Sequence, residues 1–116
     1  MTANTKRMGA MIAVIFQVWL NEGCTQTYLD IAATLRVELE KIDGFISIER
    51  FESLTEPGKY LSLSMWRDHD AVAAWRAHGD HGDAQARGKT ELFADFRISV
   101  AEVVRDYTLA DRRVGD

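Results

Sequence analysis

The chain has 116 residues, 47% hydrophobic and 28% charged, a balance that sets disorder aside and suits one domain with a modest core. Its net charge of −4 and sequence pI near 5.3 leave no basic face for phosphate neutralisation, so nucleic acid is not an expected partner. One cysteine, Cys24, excludes a disulfide within the chain, and the longest apolar run, Met11 to Phe16, falls far short of the about 20 residues of a membrane span; a cytoplasmic protein with no membrane partner is expected.

Residues 1–10 read as a flexible N-terminal extension. Met11 to Leu20 (MIAVIFQVWL) is β-branched and aromatic and predicts a buried strand. Asn21-Glu22-Gly23 breaks it. From Cys24 to Ile42, apolar residues recur at three- and four-residue spacing (Tyr28, Ile31, Ala32, Leu35, Leu39, Ile42), which predicts an amphipathic helix with Thr25 or Thr27 as N-cap. Asp43-Gly44 ends it, with Gly44 suited to a left-handed cap. Phe45 to Leu54 alternates as a strand, Glu56-Pro57-Gly58-Lys59 reads as a turn, and Tyr60 to Trp66 alternates strictly, so the two runs predict a hairpin. Leu61, Leu63 and Met65 share one face of the second strand; Tyr60, Ser62, Ser64 and Trp66 share the other.

Arg67-Asp68 opens a second helix, with Asp68 as N-cap and Ala71, Val72, Trp75 and His78 as its inner stripe. Gly79 and Gly82 each weaken a helix by about 1 kcal/mol relative to Ala, which predicts a break there. Leu92 to Tyr107 predicts a last long strand, with a bulge expected in Ala101 to Val104. Residues 11–107 thus form one domain and 108–116 a C-terminal tail. The order strand, helix, strand, strand, helix, strand describes an α+β, ferredoxin-like βαββαβ plan with an antiparallel sheet. Its helices cover one sheet face only. Apolar side chains on the other face predict a homodimer.

Ile42 to Phe51 (IDGFISIERF), Leu63 to Trp66 (LSMW), Ala71 to Trp75 (AVAAW) and Phe93 to Tyr107 (FADFRISVAEVVRDY) carry a resemblance to the antibiotic biosynthesis monooxygenase superfamily. It spans Met11 to Tyr107. The resemblance implies a dimeric α/β barrel with a pocket between helices and sheet. It also implies either cofactor-independent oxidation of phenols and quinols or heme degradation. Polyketide-oxidising members place a Trp where Trp66 stands, but their Asn four residues earlier is Ser62 here and their Tyr six residues later is Val72. Of the heme-degrading constellation, Trp75 matches the Trp; the Asn position falls near Phe16 and the His position near Gln85.

The candidate site follows. Oxidising a quinol without a cofactor needs a dry stacking surface and a base with pKa near the working pH. Phe16, Trp66 and Trp75 are expected as walls around a small aromatic substrate, His78 or His81 as the catalytic base, and Arg67 or Arg76 as stabiliser of the anion. No glycine-rich dinucleotide fingerprint occurs, and no paired cysteines or carboxylate–histidine cluster marks a metal site, so no cofactor is expected. Two alternatives remain on the same scaffold: heme bound through His81 or His78, and a non-catalytic small-molecule-binding dimer.

Overall fold

The computed structural model describes residues 10–77 and 91–111. Its elements are β1 (Ile12–Leu20), α1 (Thr25–Leu39), β2 (Phe45–Glu52), β3 (Lys59–Trp66), α2 (His69–Arg76) and β4 (Phe93–Glu102). They form the expected βαββαβ order, and the four strands make one sheet in the order β2-β3-β1-β4, every pair antiparallel. β1 and β3, the most apolar strands, take the centre.

Register turns the sheet into transverse rows. On the helix-covered face one row runs Arg50, Ser62, Phe16, Ile98 and the next Ile48, Ser64, Val14, Val100. The opposite face carries Phe51, Leu61, Gln17, Arg97, then Glu49, Leu63, Ile15, Ser99. The expected segregation along β3 is therefore found, with Ser62, Ser64 and Trp66 on the helix side. The core lies at one end of that side, where Ile12, Leu39, Ile48, Trp66, Ala71 and Val72 pack together. Trp66 is 1% exposed and Ile12 fully buried. Phe45 meets the Trp66 ring edge-on at 5.3 Å, a favoured arrangement.

Several boundaries differ from expectation for identifiable reasons. Neither Thr25 nor Thr27 caps α1. The turn at Gly23 (φ +80°), closed by the Cys24 N–H donating to the Asn21 carbonyl, brings Cys24 to the cap position, where no side chain bonds the backbone. The helix ends at Leu39 rather than Ile42, because Lys41 and Ile42 donate to carbonyls only three residues back and tighten the chain. β2 stops at Glu52: the Ser53 hydroxyl accepts from the N–H groups of Thr55 and Glu56, which pulls the chain out of the sheet and leaves Leu54 fully exposed. β4 ends at Glu102, since its last bond, the Val103 N–H to the Met11 carbonyl, uses up the partner strand. The irregularity expected within Ala101 to Val104 lies at the opposite end of β4, where Leu20 pairs with Phe93 and Trp19 with Asp95.

Asp68 meets its expectation at the second helix, while Gly44 is left-handed as expected but serves a separate turn, since α1 is capped by Glu40 in the right-handed conformation. Asp68 caps α2, its carboxylate accepting from the Ala71 N–H at 2.9 Å. Gly44 has φ +95°, and a Cβ there would lie 2.6 Å from the Ala71 Cβ; only glycine lets the α1–β2 turn approach α2 this closely. The helix ends at Arg76 with Ala77 as its cap. Gly79 and Gly82, on which the predicted break rests, lie outside the described residues, as does nearly all of the 1–10 extension.

Candidate active site

Between the sheet and the two helices lies a cavity of about 620 Å³. The two central rows of the sheet form its floor: Val14 and Phe16 from β1, Ile48 and Arg50 from β2, Ser62 and Ser64 from β3, Ile98 and Val100 from β4. The inner stripe of α1 (Tyr28, Ile31, Ala32, Leu35, Leu39) forms one wall, and Val72, Trp75 and Arg76 of α2 another. Trp66 lines one end, and Leu92 and Phe93 line the other, where Phe93 packs against Phe16 at 5.8 Å and Tyr28 at 6.0 Å. The spacing that made α1 amphipathic thus serves the cavity as well as the core.

Polar groups in this cavity are few and placed by strand register. The Trp66 indole N–H donates to the Ser64 hydroxyl at 2.9 Å, and that hydroxyl donates onward to the Val14 carbonyl at 3.4 Å. Both serines are buried. Arg50, on the edge strand, stands beside Ser62 in the register. Its Nε is buried and has no hydrogen-bond partner, the one side-chain nitrogen or oxygen among the described residues in that condition. No aspartate or glutamate lines the cavity among the described residues, while two arginines do.

Of the expected site residues, Phe16, Trp66 and Trp75 line the cavity. Arg67 does not. It follows Trp66, whose ring takes the inward direction, and its guanidinium donates instead to Asp43 at 3.0 Å and Asp68 at 2.9 Å at the surface. Those bonds, Asp43 first, hold its charge still more firmly than usual. Arg76 stands on the cavity wall as the alternative cation. His78 and His81 lie outside the described residues. His69 is placed: its Nε2 meets Glu102 at 2.9 Å, at the surface. None of the described lining residues offers an imidazole as a heme ligand, and among the described residues no group of three or more His, Cys, Asp or Glu side chains gathers.

The sequence reading passed over Arg50, Ser64 and Tyr28. A signal existed for each. Alternation from Trp66 puts Ser64 and Ser62 on its face, hairpin pairing puts Arg50 beside Ser62, and Tyr28 lies on the α1 stripe.

A family model described as antibiotic biosynthesis monooxygenase matches residues 11–87. Jasmonate monooxygenase ABM of Pyricularia oryzae is 43% identical over 93 residues, covering 80% of this chain and 43% of that protein. The chain spans about half the length of the curated relatives it matches. Among solved structures, protein SO0527 from Shewanella oneidensis superposes with a TM-score of 0.75 at 19% identity, covering 82% of this chain and 92% of that one. SnoaB, a cofactor-independent oxygenase from Streptomyces nogalater, superposes with a TM-score of 0.69 at 14% identity, covering 86% of this chain and 97% of that one.

Proposed function

This chain belongs to the antibiotic biosynthesis monooxygenase family, and we propose that it oxidises an aromatic or quinol-like small molecule with dioxygen, without metal or flavin. The observation that carries this reading is the cavity, about 620 Å³ and mostly apolar, set between helices and sheet with two tryptophans on its walls. Such a volume suits a small organic molecule. An apolar lining favours the reaction, because a desolvated phenolate or carbanion-like anion gives up electrons to oxygen more readily. In the balanced step, an activated CH2 of the substrate becomes C=O; one oxygen atom stays and the other leaves as water. The substrate itself supplies the four electrons.

Trp66 and Trp75 hold the ring, with Phe16 beneath it. Proton removal is assigned to His78 or His81. The chain has three histidines, and His69 is engaged with Glu102. The Pyricularia oryzae relative, named a monooxygenase, supports oxygen insertion as the reaction class. Two such domains would associate through the uncovered sheet face as a homodimer. A reducing cytoplasmic setting fits the single free Cys24.

The test is oxygen consumption by metal-free protein across quinols and anthrone-like phenols, repeated with His78→Ala and His81→Ala. Turnover should appear without additions and drop by about 100-fold or more when the base is removed. Uptake that starts only after heme is added would replace this reading with heme degradation. No uptake with any substrate would leave a binding protein.

A further inference from the structure

Arg50 is a cation with part of its hydrogen-bonding capacity unused. A guanidinium keeps its charge at any physiological pH, and a buried N–H of a charged group is costly while unpaired. Here the Nε–H is buried without a partner, and the cavity offers no carboxylate among its described lining residues. A ligand carboxylate would supply the counter-ion that the described lining residues lack. The sheet also gives the cavity a direction. Along one transverse row the side chains run Arg50, Ser62, Phe16, Ile98, cationic and hydroxylic at the β2 edge and purely apolar toward β4.

We propose that the cavity's ligand is an amphipathic carboxylic acid, its carboxylate seated on Arg50 and its apolar ring lying over Phe16 and Ile98. The two terminal Nη groups of a guanidinium present a planar fork that matches the two oxygens of a carboxylate. The Ser62 hydroxyl, one strand away, is near enough to share the same group, since directly opposed side chains start about 5 Å apart. This inference rests on the reading of the cavity as the substrate site and names the chemical class of what enters it.

The experiment compares 1-naphthaleneacetic acid with its methyl ester, binding to the whole chain being followed by quenching of tryptophan fluorescence near pH 7. Wild-type protein should bind the acid at least about tenfold more tightly, the size expected for hydrogen bonds to a charged group. Arg50→Gln should weaken the acid and leave the ester unchanged, erasing the preference. Arg50→Lys, which keeps the charge but not the fork, should retain part of it. Equal wild-type affinities for acid and ester, or an undiminished preference in Arg50→Gln, overturns the proposal; the wild-type arm needs no variant to fold. Because the readout is binding, a protein that prefers the acid yet consumes no oxygen with any substrate sinks the monooxygenase reading alone. One that oxidises quinols without distinguishing acid from ester sinks the carboxylate site alone.

Discussion

The Asp68 carboxylate serves two partners at the start of α2, accepting from the Arg67 guanidinium and from the Ala71 N–H, each at 2.9 Å. Both favour the ionised form, the Arg67 hydrogen bond most, so its pKa in the folded protein lies below the ordinary aspartate value. A carboxylate with a depressed folded pKa contributes stability that is complete above its unfolded pKa of about 3.9 and fades as pH falls through the folded value. Asp68→Ala is therefore expected to lower the melting temperature by a few degrees at pH 7, with the gap to wild type narrowing as the pH drops below about 4. Asp68→Asn, which keeps a capping oxygen, should lose less. A gap that stays constant from pH 7 to pH 3 would show that the cap, and not the charge, matters.

At the scale of elements, Gly44 permits the close contact between the α1–β2 turn and α2. Gly23 also has a left-handed φ, of +80°, but a Cβ there meets nothing within 4 Å. The pair separates backbone strain from collision. Gly23→Ala should cost about 1 kcal/mol for the left-handed backbone alone. Gly44→Ala adds the overlap with Ala71 and should cost about 2–4 kcal/mol in urea unfolding. Equal costs would mean that α2 moves aside freely. The elements themselves were legible in the sequence because period decides them: β3 alternates by two and α1 recurs at three and four. The ends were not, because they are set by partners distant in sequence, as when β4 stops where Met11 does, or by a local hydroxyl, as when Ser53 takes the chain out before Leu54. The site was legible in its aromatic walls for the same periodic reason. Arg50 escaped because its alternation reads as a solvent-facing charge, and only the pairing of β2 with β3 turns it toward the cavity.

For the whole molecule, the sheet has two faces and the helices cover one. On the other, Ala13 and Ile15 of β1 and Leu61, Leu63 and Met65 of β3 form an apolar strip along the two central strands, with Phe51 beside it at 45% exposure. Glu49 and Ser47 flank it on β2, Arg97 and Ser99 on β4. An apolar centre with a polar rim is the pattern of an association surface. A stable interface usually hides about 800 Å² on each partner, and the stretch after β4 is expected to contribute to it. There Val104 and Leu109 are 87% and 73% exposed, an arrangement hard to rationalise in an isolated domain but sensible if each tail lies along the partner's sheet edge. Sedimentation at micromolar concentration should give one species of twice the 13.1 kDa chain mass. Leu63→Glu, which plants a charge in the middle of the strip, should shift that species to the monomer while the far-ultraviolet circular dichroism still shows the α+β signature. Wild-type protein that sediments only as a monomer would refute the association. A Leu63→Glu protein that stays dimeric would move the interface off this face, leaving the apolar strip without an explanation.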